Sequence, residues 1–129
     1  MIPGLLATQE FALDIHESPI HGKGVFAEQD IPAGALIYRS TEYTVTPNPI
    51  YASIQRSPQE HLLEKVLRWE NHSCEPNTVL RFDGAAVQLI ATEQILDGEE
   101  LVCDYRTTED SIPVPFRCNC GHCGGITIR

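Results

Sequence analysis

Turn residues divide this sequence into pieces that are too short for long helices. Glycine turns occur at His21–Gly24, around Gly34, at Asp83-Gly84 and at Asp97-Gly98. Runs rich in apolar, aromatic or β-branched residues lie between these turns, which is typical of short strands. The Asp83-Gly84 pair is also a favoured hairpin turn. The pattern predicts a mainly β domain with strands near residues 11–15, 25–27, 35–38, 42–46, 79–82, 86–91 and 100–105.

One short helix is predicted among these strands. Ser57 can cap it, Pro58 suits the first helical position, and Glu60 completes a capping box. Four apolar residues then fall on one helical stripe, namely Leu62, Leu63, Val66 and Leu67. The same pattern predicts that the helix ends near Trp69.

Composition and charge restrict the functional class. The 129 residues, 42% of them hydrophobic, indicate one globular domain. Eighteen acidic against nine basic residues give a net charge of −9, which argues against direct nucleic-acid binding and favours a Lys/Arg-rich partner.

No apolar run approaches the ~20 residues of a membrane span. Residues 1–14 lack the basic start of a signal peptide, so a cytoplasmic or nuclear location is expected.

The C-terminal cysteines predict a metal site. Cys118, Cys120 and Cys123 lie within six residues, and Gly121 permits a tight loop between them. An odd, clustered set of thiols in a non-secreted chain is more typical of metal ligands than of disulfides. Zinc usually takes four ligands in a closed structural site. The fourth ligand is open at this point, with three candidates: Cys74, Cys103 and His122.

Two other clusters of reactive side chains suggest alternatives. The polar run Asn71–Asn77 contains Cys74 and His72, which would be the nucleophile and base of a thiol hydrolase. They are only two residues apart, and no third group that would orient the histidine is evident. Glu99 and Glu100 make a poor acid–base pair because adjacent strand residues point to opposite faces. Each of these acids is therefore interpreted as a solvated surface charge.

Taken together and in this order, the motifs resemble a SET domain, the fold of protein-lysine methyltransferases. The resemblance spans about residues 11–124 and implies a β-clip fold of several small sheets, with a knot-like C-terminal arrangement. It divides the chain into a SET domain at residues 1–112 and a post-SET-like zinc-binding tail at 113–129. The matching stretches before the tail are His21–Ala27, Asp30–Gly34, Arg68–Asn77, Gly98–Leu101 and Asp104-Tyr105.

The resemblance also implies an activity and its residues. The methyl donor would be S-adenosylmethionine, and the acceptor would be a lysine ε-amine in a basic protein, such as a histone-like or ribosomal protein. Tyr105 would be the catalytic tyrosine, and Tyr51 a second active-site tyrosine. The implied zinc ligands are Cys74, Cys118, Cys120 and Cys123. The implied cofactor-binding residues are Lys23, Gly24, Val25, Arg68, Asn71, His72, Tyr105 and Phe116.

Departures from the family pattern lead to further expectations. The usual tail has four residues before its last cysteine, whereas two separate Cys120 from Cys123, so His122 could compete as a ligand. Cys103 stands where the family often has an aromatic residue, which predicts a roomier lysine channel that permits more than one methylation. The insert between Tyr43 and Ser57 is short, and a partner chain in a homodimer could supply missing contacts.

The alternative function is an inactive SET-like module that binds a basic peptide.

Overall fold

The computed structural model describes residues 7–113 and 115–129. Residues 1–6 and 114, which belong to the predicted domain ranges, lie outside the described residues, as does the first part of the segment tested for a signal peptide. The helical segments of the described chain are two short 3₁₀ turns, Leu67–Trp69 and Tyr105–Thr107, and neither is long or apolar enough to cross a membrane. The strands are β1 Ala7–Gln9, β2 Leu13–Glu17, β3 Lys23–Ala27, β4 Leu36–Ser40, β5 Tyr43–Thr46, β6 Ile54–Ser57, β7 Glu60–Glu64, β8 Asn71–His72, β9 Thr78–Asp83, β10 Ala86–Ala91, β11 Glu100–Cys103, β12 Phe116–Arg117 and β13 Thr127–Ile128.

These strands form several small sheets, so the prediction of a mainly β fold is confirmed. One four-stranded sheet has the order β1-β4-β10-β9, a second has the order β2-β3-β11-β8, and a three-stranded sheet has the order β5-β7-β6. The tail adds the pair β12-β13. All three larger sheets contribute to one buried core, which includes Ile37 and Leu89 from the first, Val25 and Leu101 from the second, and Leu62 from the third.

The predicted helix from Ser57 to Trp69 is wrong, because most of this segment is a β-hairpin. Strands β6 and β7 pair antiparallel, and only the 3₁₀ turn Leu67–Trp69 is helical. The expected capping contact does form, since the Ser57 hydroxyl donates to Glu60 Oε1 at 2.8 Å, but it spans the hairpin turn. Leu62 is fully buried and its neighbour Leu63 only partly. Packing of β7 between two strands therefore outweighs the local helical pattern.

A buried carboxylate fixes the chain where β7 leads into the polar run. Glu64 is 1% exposed. It accepts hydrogen bonds from the Tyr38 hydroxyl at 2.5 Å and from the backbone N–H groups of Val66 and Leu67 at 2.7 and 2.9 Å. Three donors offset the cost of burying this group. The contacts set the direction in which the chain enters β8.

A parallel pairing brings two distant motifs together. Val102 pairs with Asn71, and Cys103 pairs with His72, across β8 and β11. The Asn77 side chain extends this contact: its Oδ1 accepts from Val102 N at 2.9 Å, and its Nδ2 donates to Glu100 O at 2.8 Å. The polar run is thereby attached along β11, immediately before Tyr105.

Candidate active site and metal centre

A cavity of about 410 Å³ lies where the polar run, the first glycine turn and the C-terminal tail meet. Its size suits a ligand of nucleoside dimensions, since small-molecule sites are usually about 300–1,000 Å³. The tail closes one side because the Asn119 side chain donates to the carbonyls of Pro19 and Ile20, at 3.3 and 3.0 Å. The lining residues are Ile20, His21, Gly22, Lys23, Tyr51, Ala52, Arg68, Trp69, Asn71, His72, Tyr105, Ile112, Pro113, Phe116, Arg117 and Asn119.

Asn71 links the glycine turn to the rest of the cavity wall. Its Nδ2 donates to the carbonyls of His21 and Lys23 at 3.0 and 3.1 Å, and to Glu100 Oε2 at 2.9 Å. The Glu100 carboxylate also accepts from the Ser18 hydroxyl at 2.7 Å. A Cβ on Gly24 would lie only 2.2 Å from Glu100 Oε2. Glycine is therefore required here so that the carboxylate can reach the asparagine.

His72 is held as a neutral ring beside the catalytic candidate. The backbone N–H of Tyr105 donates to His72 Nδ1 at 3.0 Å, which leaves the ring proton on Nε2. Burial lowers the pKa of His72, in agreement with this neutral form. Asp104 Oδ1 lies 3.6 Å from the same nitrogen. However, the Asp104 carboxylate already accepts three hydrogen bonds from the backbone and guanidinium nitrogens of Arg106, at 2.8 to 3.0 Å. The Phe116 ring lies edge-on to His72, with centroids 6.0 Å apart.

The Tyr105 phenol faces inward. Its hydroxyl donates to the backbone carbonyl of Glu70 at 2.6 Å, and its ring lies 5.2 Å from that of His72. Asp104 caps the 3₁₀ turn that begins at Tyr105 and so fixes the chain direction. Burial raises the pKa of Tyr105 well above its usual range. The phenol therefore remains protonated, as a donor whose oxygen has a fixed position.

A second, smaller cavity of about 60 Å³ adjoins the large one. Glu70 and Cys103 line only the small cavity. The residues that line both are Ala52, Arg68, Tyr105, Ile112 and Pro113. Burial raises the pKa of the Cys103 thiol, which is 5% exposed and therefore neutral. The tyrosine thus stands at the junction of a large and a small cavity.

Two cations and a second tyrosine lie at the mouth of the large cavity. Lys23 Nζ is 5.7 Å and Arg68 Cζ is 4.9 Å from the centre of a Trp69 ring, which are cation–π distances. Tyr51 is 62% exposed, and its hydroxyl is 3.1 Å from His21 Nε2. These groups could contact an anionic or polar part of a ligand.

Four cysteines converge outside the cavity wall. The sulfurs of Cys74, Cys118, Cys120 and Cys123 all lie within 4.8 Å of one another. The Cys74–Cys118 and Cys120–Cys123 distances are 3.9 and 3.8 Å. Sulfurs placed tetrahedrally about zinc at ~2.3 Å would be ~3.8 Å apart. The donor set therefore fits a zinc ion, and this group of residues could hold one.

The other candidate ligands lie elsewhere. Cys103 is buried in β11, and His122 Nδ1 is 3.2 Å from Glu75 Oε2. Cys74 approaches His72 Nε2 at 3.5 Å, but it also belongs to the four-sulfur cluster. That placement is typical of a metal ligand and does not favour the thiol hydrolase.

The structure gathers most, but not all, of the predicted site residues around the cavity. Gly24 and Val25 do not line it: Gly24 makes room for Glu100, and the Val25 side chain is in the core. Sequence reasoning missed Trp69 and Glu70, and it interpreted Glu100 as a solvated charge. The predicted residues that do line the cavity are Lys23, Tyr51, Arg68, Asn71, His72, Tyr105 and Phe116.

Comparisons with known proteins find relatives in sequence and in fold. Human histone-lysine N-methyltransferase 2B is 27% identical over 138 aligned residues, which cover 91% of this chain and 5% of that protein. Methyltransferase flvH of Aspergillus flavus is 32% identical over 99 residues, covering 74% of this chain and 56% of the relative. The solved structure of KRYPTONITE with mCHG DNA and SAH has a TM-score of 0.70 and 25% identity, and the match covers 90% of this chain and 28% of that one.

The chain therefore spans about half the length of one of these relatives and a far smaller share of the others. A family model described as SET domain matches residues 22–106, which is most of the chain. With this match and the shared fold, the chain belongs to the SET domain family.

Proposed function

We propose that this chain is a protein-lysine N-methyltransferase, which transfers a methyl group from S-adenosylmethionine to a lysine ε-amine in a basic protein. One observation carries the proposal. Tyr105 lines both the large and the small cavity, and its hydroxyl is fixed against the Glu70 carbonyl. A donor in one cavity and an amine in the other would then face each other across two oriented oxygens.

The large cavity is the proposed cofactor site. Asn71, His72 and Phe116 would contact the nucleoside and amino-acid parts, and Lys23 and Arg68 would lie near the carboxylate end. Gly24 and Val25 would act by positioning β3. Support comes from the SAH in the solved structure of KRYPTONITE, because SAH is what S-adenosylmethionine becomes after it has lost its methyl group.

Methyl transfer mainly requires that the amine, the methyl group and the sulfur be held in line. When bound, the donor supplies an electrophilic methyl group on a sulfonium, which an uncharged amine can displace in line. Tyr105 remains protonated and cannot be a strong base. Its oxygen and the Glu70 carbonyl are proposed to orient the amine. Burial in a narrow channel lowers the lysine pKa from its usual ~10.4 and favours the neutral form. Tyr51 would contribute a second hydroxyl at the cavity mouth.

A basic substrate is favoured by the acidic surroundings of the small cavity. Glu109 lines it, and Asp110 lies next in the chain. Both bind Gln55 of the edge strand β6: Glu109 accepts from the Gln55 backbone N–H at 2.7 Å, and Asp110 accepts from its side chain at 2.6 Å. Together with the net charge of −9, these acids would attract a histone-like or ribosomal segment. A homodimer and a cytoplasmic or nuclear location remain predictions.

Removing the Tyr105 hydroxyl should abolish transfer without loss of the cofactor. We expect Tyr105→Phe to lower kcat by about 100-fold or more, the usual effect of deleting one oriented hydrogen-bond donor, while calorimetric binding of S-adenosylhomocysteine is retained. The matched control is Tyr43→Phe, a tyrosine outside both cavities. The assay uses labelled donor and a library of basic lysine peptides. A fully active Tyr105→Phe would remove the phenol from the mechanism, and a folded wild-type protein without cofactor affinity would favour the binding module.

Zinc is proposed to attach the tail to the body of the domain through Cys74, Cys118, Cys120 and Cys123. We expect Cys118→Ser to lower the zinc content and the melting temperature, since the small β12-β13 pair depends on this closure. His122→Ala should keep its zinc, because the imidazole is directed to Glu75. Elemental analysis of the purified proteins measures both. Unchanged zinc in Cys118→Ser would reject that ligand, and loss in His122→Ala would add the imidazole to the site.

Cys103 is proposed to leave space for more than one methyl group. Its small side chain lines the cavity behind Tyr105. We expect a good peptide substrate to carry two or three methyl groups at long reaction times, and Cys103→Phe to shift the product towards one. Mass spectrometry of the peptide counts the methyl groups. Strict monomethylation by the wild-type protein would contradict the roomier channel.

A further inference from the structure

A buried acid lies behind the catalytic candidate, at a position that the proposed mechanism uses only through its backbone. Glu70 is 3% exposed and is one of the residues that line the small cavity. Glu70 Oε1 is buried and has no hydrogen-bond partner among residues 7–113 and 115–129. Such an oxygen is costly to leave unsatisfied. A cationic group bound at this end of the cavity would satisfy it.

The other oxygen of this carboxyl is in a network that fits both of its protonation states. The Thr78 hydroxyl lies 2.5 Å from Glu70 Oε2 and 2.9 Å from the Val102 carbonyl. A hydroxyl has only one proton to donate. When Glu70 is ionised, or carries its proton on Oε1, Thr78 donates to Oε2. When the proton is on Oε2, Glu70 donates to Thr78, and the Thr78 hydroxyl rotates to donate to the Val102 carbonyl.

The groups around Glu70 leave its charge uncompensated. Burial raises its pKa to about 7, against the lowering effect of Thr78 and Cys103, and the negative charge of Glu100 raises it further. The Cys103 thiol is kept neutral by its own burial. The Tyr105 hydroxyl donates its hydrogen bond to the Glu70 backbone carbonyl and so does not reach the Glu70 carboxyl.

Arg68 does not supply the missing positive charge. It lines the same small cavity, but its guanidinium lies over Trp69, at 4.9 Å from the ring centre. No ion pair joins it to Glu70 within the part of the chain that the structure describes. A cation that entered the cavity would therefore be the first positively charged partner of this carboxylate among the described residues.

We propose that Glu70 is a catalytic residue that binds the substrate ammonium and accepts one of its protons. This inference rests on the proposed lysine methyltransferase function. One N–H bond of the ammonium breaks, its electron pair stays on nitrogen, and an O–H bond forms at Glu70 Oε1. The product is a neutral amine beside Tyr105, in the form required for attack. The proton passes to water after the product leaves, so that the carboxylate is restored.

The role predicts the direction of the pH dependence. Below its pKa, Glu70 already carries a proton and cannot accept another, so kcat/KM, which reports the free enzyme, should fall as the pH drops below about 7. Without the carboxylate, the lysine must lose its proton to water before it enters the channel, which requires a higher pH because a free lysine has a pKa of ~10.4. In Glu70→Gln the rise of kcat/KM should therefore move to alkaline pH.

The first experiment compares kcat and KM across the pH range for Glu70→Gln and two controls, using the lysine-peptide library as substrate. We expect Glu70→Gln to lose about 100-fold in kcat/KM at neutral pH and to recover towards high pH. Glu64→Gln, which changes a buried carboxylate that is fully hydrogen-bonded within the protein, should lower the melting temperature without moving the profile. The exposed Glu93→Gln should do neither. A Glu70→Gln enzyme with wild-type rate and profile would overturn the proposal.

A second measurement does not depend on turnover. Carbon-13 NMR of the wild-type protein, with the Glu70 carboxyl assigned by its loss in Glu70→Gln, follows this group during addition of n-butylamine as a mimic of the lysine side chain. We expect the amine to shift the Glu70 signal and to lower its pKa, whereas Glu64 should not respond. An unresponsive Glu70 would overturn the proposal. If no peptide is methylated by the wild-type protein, the proposed function fails, and the NMR result still decides the amine contact.

Discussion

The architecture of the site depends on the contact of the Asn77 side chain with β11. The Asn77 side-chain amide accepts a hydrogen bond from the Val102 N–H and donates one to the Glu100 carbonyl, as the backbone of a neighbouring strand would. This contact continues the short parallel pairing of β8 with β11. Asn71 and His72 are thereby held next to the end of β11, and Tyr105 follows directly. This attachment therefore strengthens the support that the two walls of the large cavity share.

The polar run from Glu70 to Thr78 is mostly buried, which would be costly if its hydrogen bonds were local. They instead join distant parts of the chain: Asn71 reaches the first glycine turn, and Tyr105 N–H reaches His72. These long-range bonds form only when the fold is complete. The exception is Glu70 Oε1, which is buried without a partner in a residue that lines the small cavity. A fully connected network with one open acceptor is the arrangement expected where a ligand completes it.

Much of the β architecture could be predicted from the sequence, because turns at Gly34, Asp83-Gly84 and Asp97-Gly98 delimit the strands. The helix prediction failed because Ser57 and Glu60 make the same side-chain contact in a hairpin as in a capping box. The convergence of Cys118, Cys120 and Cys123 followed from spacing, but selection of Cys74 required the family resemblance. The contact of Glu100 with Asn71 joins β11 to β8, and no local pattern contains it.

In the proposed enzyme, Tyr105 lies between a cofactor cavity and an amine cavity. The most direct test is a crystal structure with S-adenosylhomocysteine bound. We expect the nucleoside in the cavity lined by Asn71, His72 and Phe116, with the sulfur beside Tyr105 and facing the small cavity that Glu70 and Cys103 line. A nucleoside bound at another surface, or a sulfur separated from Tyr105 by the cavity wall, would contradict it.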